Sequence, residues 1–98
     1  MDLQEIRGQL NLIDDQILRL FCERMALVRN VAAYKIEHHL PVLDASREQV
    51  ILERVSQAAG EELGEYARGL FETVMALSRD YQERQMLQNG EKPSWNTD

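Results

Sequence analysis

From Leu3 onward the apolar residues step by three and four: Leu3, Ile6, Leu10, Ile13, Ile17 and Leu20, then, after one interruption, Leu27 and Val31. That spacing keeps one face of an α-helix apolar and predicts a single long amphipathic helix. The helix should stop near His38 and His39, because Pro41 disfavours the α conformation at Leu40. The segment 41–46, Pro-Val-Leu-Asp-Ala-Ser, follows as a short connection, with Asp44 or Ser46 placed to accept from first-turn N–H groups. A second helix is predicted on Val50, Ile51, Val55, Ala58 and Ala59, ending at Gly60, a residue suited to a C-terminal cap. A third starts between Glu61 and Leu63, with Leu63, Tyr66, Ala67, Leu70, Phe71, Val74, Leu77 and Tyr81 as its buried stripe, and fades between Gln88 and Gly90. The expected architecture is all-α, three helices per chain with one long N-terminal helix. Residues 1–88 form the helical domain, and 89–98 a flexible tail or the start of a linker.

Length turns the first helix into a statement about assembly. About 36 residues at 1.5 Å rise span about 54 Å, whereas a compact globule of 98 residues has a radius of gyration of roughly 12.6 Å and a diameter of about 33 Å. The helix overhangs its own domain by about 20 Å, and its apolar seam lies in water unless another chain covers it. An intertwined homodimer paired along this helix is therefore expected.

Polar residues interrupt the apolar pattern at a few positions. Arg24 stands on the seam between Leu20 and Leu27, where a leucine is expected. A guanidinium there needs a partner, and a salt bridge to Glu23 or Asp14 of the other chain is one solution. Lys35 lies 11 residues further on, within about 20° of the same face and about 16 Å along the axis. The pair can hold a small anion across Val28 and Val31, although a lysine near a helix C-terminus also suits the helix dipole. Arg7 is about 25 Å from Arg24 and rotated by about 100°, so the two cannot reach one small ligand within one chain. An antiparallel two-fold pairing brings Arg7 to the partner's site; alone it reads as a surface arginine.

Further along, Phe71, Met75, Ser78, Gln82 and Met86 share a face on which Ser78 and Gln82 are the polar members, as the edge of an apolar stripe also permits. Asp44, Arg47 and Glu48 head the second helix, where an acidic first turn is ordinary.

Composition narrows the chemistry. With 17 acidic against 11 basic residues and a net charge of -6, the chain lacks the basic surplus that a nucleic-acid surface requires. Its apolar runs are far shorter than the roughly 18 residues of a membrane span, and no basic signal segment opens it, which points to a cytoplasmic protein. One cysteine, Cys22, can neither close an intrachain disulfide nor build a zinc site alone, and His38 and His39 lack a third ligand. No nucleophile with an adjacent base and no glycine-rich phosphate loop is visible, so no metal and no cofactor is expected. Against the global field, Arg7, Arg24, Lys35 and Arg47 create a local positive region, joined by Glu48, Ser78 and Gln82. The implied ligand is a small polyanion, handled by positioning and electrostatics.

These residues resemble the all-helical chorismate mutases, small intertwined dimers that convert chorismate to prephenate. The resemblance spans about Leu3 to Met86. It rests on Arg7 followed by Leu12-Ile13-Asp14, then Glu23-Arg24, Lys35, the run from Pro41 to Glu48, and Leu70-Phe71 through Ser78 to Gln82. It implies an isomerase of aromatic amino acid biosynthesis that needs no cofactor. Arg7 of one chain and Arg24 of the other would hold the two carboxylates, with Ser78 near the ring carboxylate and Arg47 adding to the field. Lys35 and Gln82 would donate to the ether oxygen, and Glu48 with the backbone at Asp44 would receive the ring hydroxyl. The implied catalytic set is Lys35, Gln82, Arg24 and Glu48, active through neutral pH because Gln82 is uncharged. Two alternatives stand beside it: an isochorismate pyruvate lyase of the same fold, and a non-catalytic helical dimerisation or regulatory module.

Overall fold

The computed structural model describes residues 1–90 as two helices, α1 (Leu3–His38) and α2 (Ala45–Gln88). The residues from 91 onward, on which most of the expected tail falls, lie outside the described part.

Both ends of α1 follow from local chemistry. Asp2 is the N-cap, its carboxylate accepting from the Glu5 N–H at 2.9 Å, which satisfies one of the free donors of the first turn. At the other end His39 adopts a left-handed conformation, φ 54°. The Leu40 N–H then donates to the Lys35 carbonyl at 2.9 Å and the His39 N–H to that of Ile36 at 3.3 Å. This reciprocal pair closes the helix one turn before Pro41 can clash. The His38 ring stacks on Tyr34, centroids 3.9 Å apart, and its Nδ1 donates to the Tyr34 carbonyl. Asp44 caps α2 as expected, accepting from the Arg47 N–H at 3.1 Å and the Ser46 hydroxyl at 3.0 Å.

Three helices were expected and two are present, because α2 runs through the predicted boundary with Gly60 kinked inside it at φ 87°, ψ 173°. One residue in a conformation open mainly to glycine changes direction without a loop. Residues far apart along α2 consequently meet: Ile51 and Leu52 pack with Met75, flanked by Val55 and Phe71, and Glu48 pairs with Arg79. A straight helix would hold those last two about 46 Å apart, so the two arms of α2 fold back on each other about Gly60. They approach closely at Gly64, where an added Cβ would lie 2.8 Å from the Ser56 carbonyl oxygen.

The core of the single chain is small: Val28 and Ala32 from α1, Val42 from the connection, and Ile51, Leu52, Met75 and Met86 from α2. The stripe expected on the second arm is displaced. Leu63, Tyr66, Leu70 and Leu77 are exposed, and Ala67, Phe71, Val74 and Tyr81 are half-buried. The buried face is instead Met75, Ser78, Gln82, Glu83 and Met86. Val50 is likewise exposed where the pattern placed it inside. One α1 helix covers one face of the second arm, and the covered face is the one that carries the polar pair. The molecule measures 57 × 27 × 19 Å with a radius of gyration of 16.8 Å, well above the roughly 12.6 Å of a compact chain this long. Among the described residues no helix is long and apolar enough to cross a membrane.

Candidate active site

Where the second half of α1 crosses the two arms of α2, a cavity of about 180 Å³ opens. α1 contributes Arg24, Val28, Val31 and Lys35, the four positions that the 11-residue spacing placed on one face. The connection contributes Val42 and Asp44, the first arm Arg47, Glu48 and Ile51, and the second arm Met75, Ser78, Arg79 and Gln82. Seven of the eight residues singled out in the sequence therefore meet here. The eighth, Arg7, is exposed on the second turn of α1, about 25 Å away along the helix.

Two cross-helix pairs organise the cavity. Arg24 Nη1 donates to Ser78 Oγ at 2.8 Å, and that hydroxyl donates to the Val74 carbonyl at 2.8 Å. Lys35 Nζ donates to Gln82 Oε1 at 2.9 Å and to the Val42 carbonyl at 2.6 Å. Both α2 partners are buried, Ser78 at 6% and Gln82 at 7% exposure, so their polarity answers the cations that α1 presents rather than water. Gln82 spends its carbonyl oxygen on Lys35, which turns the Nε2 donor end of the amide away from that lysine.

Burial pushes the Lys35 ammonium below the usual lysine value of 10.5, an effect partly opposed by the negative charges of Asp44 and Glu48. The Asp44 carboxylate is held below its ordinary value of 3.8, first by the Arg47 N–H and then by the Ser46 hydroxyl; Lys35 and Arg47 add smaller favourable charges against a weak burial effect.

Arg79 was missed. It reaches across from the second arm, and its Nη1 donates to Glu48 Oε1 at 2.5 Å. It follows Ser78 directly, off the apolar strip, and an arginine there reads as part of a solvated face. Its partner is 31 residues away, a separation without local periodicity. The one available signal was a charge adjacent to a polar residue on a core face.

The cavity wall therefore carries four cations, Arg24, Lys35, Arg47 and Arg79, against two carboxylates, Asp44 and Glu48. A neighbouring groove of about 690 Å³ shares Val42, Glu48 and Arg79 with it, but there Arg79 faces three carboxylates: Glu48, Asp80 and Glu83. The smaller cavity is the one whose field suits an anion.

Among the described residues the architecture is all-helical, with a small, net positive cavity whose hydrogen-bond donors come from crossing helices. Residues 6–83 match the family model for chorismate mutase type II, and the chain belongs to that family. The chorismate mutase of Methanocaldococcus jannaschii is 32% identical over 93 residues, covering 89% of this chain and 94% of that protein. The bifunctional chorismate mutase/prephenate dehydratase of Buchnera aphidicola is 38% identical over 55 residues, 56% of this chain and 14% of the relative. The monofunctional chorismate mutase of Enterobacter agglomerans is 51% identical over 37 residues, 38% of this chain and 20% of the relative. The chain thus matches nearly the whole of one relative and under a quarter of the other two. No solved structure matches it significantly.

Proposed function

We propose that this chain is a cytoplasmic chorismate mutase that isomerises chorismate to prephenate by a [3,3]-sigmatropic rearrangement, working as an intertwined homodimer. The observation that carries the reading is the pairing of Lys35 with the buried Gln82 beside the Arg24–Ser78 pair in one positive cavity. A unimolecular rearrangement needs no nucleophile, only a dianion held in its reactive conformer and donors where charge develops.

Arg24 takes one carboxylate, with Ser78 beside it for the ring carboxylate, and Arg47 adds to the positive field. As the C–O bond stretches, negative charge grows on the ether oxygen, where the Lys35 ammonium and Gln82 Nε2 donate; these bonds strengthen toward the transition state and so act on the rate. Glu48 and the Asp44 backbone receive the ring hydroxyl. The cavity of about 180 Å³ falls below the roughly 300–1,000 Å³ of a complete ligand site. In the proposed dimer the first half of α1 from a second copy supplies the missing wall and brings Arg7 to the substrate's other carboxylate. The bare apolar seam of α1 supports that arrangement.

Purified protein is expected to consume chorismate and release prephenate, identified by its acid conversion to phenylpyruvate. Lys35→Ala should lower kcat/KM by more than about 10³-fold while circular dichroism and oligomeric state stay unchanged. Salicylate formed from isochorismate, with no prephenate from chorismate, would replace this reading with that of a lyase. Full activity in the Lys35 variant would remove the mechanism.

A further inference from the structure

We propose that Arg79 is a positioning residue: it fixes the Glu48 carboxylate against the wall of the cavity and offsets its charge, so that a carboxylate can serve the ring hydroxyl without repelling a dianion. The inference rests on the chorismate mutase reading above and adds to it a residue that reaches the substrate only through Glu48.

Glu48 sits in the first turn of α2 beside Arg47 and lines the cavity with Lys35. Its charge is felt at Lys35. An unrestrained carboxylate in that position would pair with Lys35 or Arg47 and compete with the substrate for the cations that should bind it. Arg79 prevents this from the opposite side. It lies in the wall common to the cavity and the neighbouring groove, and donates to Glu48 Oε1 from the second arm. The adjacent carboxylate on its own helix, Asp80, is engaged by Arg84 at 2.9 Å. With side-chain exposures of 36% for Arg79 and 23% for Glu48, the pair is too wet to contribute much to folding and near enough to the ligand to matter for binding.

The distinguishing signature is the release of the Glu48 carboxylate. The cavity wall carries a net charge of +2 from its four cations and two carboxylates. Neutralising Arg79 lowers it by one unit in either background, from about +2 to +1 with Glu48 charged and from about +3 to +2 with Glu48 neutral, but only with Glu48 charged does it also free a carboxylate to pair with Lys35 or Arg47.

The test is a double-mutant cycle on the full chain, with steady-state chorismate kinetics for wild type, Arg79→Gln, Arg79→Lys, Glu48→Gln and the Arg79→Gln/Glu48→Gln double variant. Arg79→Gln is expected to raise KM about tenfold with a smaller fall in kcat, and Arg79→Lys to recover most of that loss. In the Glu48→Gln background, removing Arg79 should cost less than about twofold further. Thermal midpoints should stay within a few degrees of wild type. An equal loss in both backgrounds would mean that Arg79 acts on substrate directly, and would overturn the proposal. So would a loss in kcat that tracks a falling midpoint and is not rescued by lysine. Wild-type protein that leaves chorismate unchanged would sink the functional reading and this inference together; active wild type with an indifferent Arg79 would sink this inference alone.

Discussion

The two halves of α1 behave as if they belonged to different proteins. In the second half Val28 and Ala32 are buried, the latter completely, and Arg24 and Lys35 are tied to α2. In the first half every residue through Leu20 is exposed, and the seam residues Leu3, Ile6, Leu10, Ile13, Ile17 and Leu20 keep between 39% and 58% of their surface in solvent. Covering six such side chains is worth on the order of 5 kcal/mol or more. Helix propensity cannot explain so regular a seam, because a solvated helix has no use for one. The contrast teaches that one helix carries two programmes: its second half builds a cavity within the chain, and its first half is shaped to cover something outside it. Under the proposed dimer, Arg7, flanked by that bare seam, belongs to the second programme.

The sharpest way to break this division is to disable each half separately and then mix the products. Arg7→Ala and Lys35→Ala chains should each lose more than about 10²-fold in kcat/KM. After subunit exchange at equal ratio, half of the dimers pair one chain of each kind, and each of these holds one site with both residues intact. Activity should then rise to about a quarter of wild type. A mixture that stays at the level of its parents, with exchange verified by mass spectrometry, would show that Arg7 never completes a neighbour's site.

A second test addresses the packed half through protons. Burial lowers the Lys35 pKa from 10.5, and the proposed donor is the ammonium, so kcat/KM should fall as pH rises through a value below 10.5, approaching tenfold per unit. Folding stability moves the other way. Between the folded and unfolded pKa values the unfolded chain binds more protons, so this group's contribution to stability rises with pH across that window. Asp44 has a linkage of the same sign at the acid end: its lowered pKa supports the fold above the ordinary value, and that support is lost as pH falls through the folded one. A drop in activity at high pH accompanied by loss of helical signal would contradict the assignment to Lys35.

The same division explains what could be read from the chain. Helix ends were legible because their chemistry is local: Asp44 reaches three residues and Pro41 acts on its neighbour. The meeting of Arg24 with Lys35 was legible because 11 residues close three helical turns, and Ser78 with Gln82 because they interrupt a period. Arg79 was not legible, since its partner Glu48 is brought in by the Gly60 reversal and no spacing encodes that. Gly60 itself was recognised as a stop, yet helical bonding resumes on both sides, so the boundary became a kink. The buried stripe was misplaced for a related reason. An apolar pattern records every face that is ever covered, while a single chain covers only the face turned to its own α1, leaving Leu63, Tyr66, Leu70 and Leu77 outside. The chorismate mutase resemblance drawn from the ordered set of residues agrees with the family match over 6–83.

The smallest expected effect contrasts the bare half of α1 with the packed interior of α2 by adding one methyl group to each. Gly64 lies in α2 where its two arms approach, and a Cβ there would come within 2.8 Å of the Ser56 carbonyl oxygen, a backbone atom that cannot swing aside. Gly64→Ala should therefore destabilise by about 1–3 kcal/mol, as overpacking does. Gly8 lies in the bare half with nothing within 4 Å of its added Cβ. Counting heptads from Leu3 puts it on the face opposite the seam, so a partner paired along the seam leaves it in solvent as well. Gly8→Ala should then stabilise the helix by about 0.5–1 kcal/mol through propensity alone. Thermal denaturation of the two variants should move in opposite directions, by a few degrees each. A destabilised Gly8→Ala protein would mean that the covering surface lies against the far face of α1, and would require the pairing along Leu3, Ile6 and Leu10 to be redrawn.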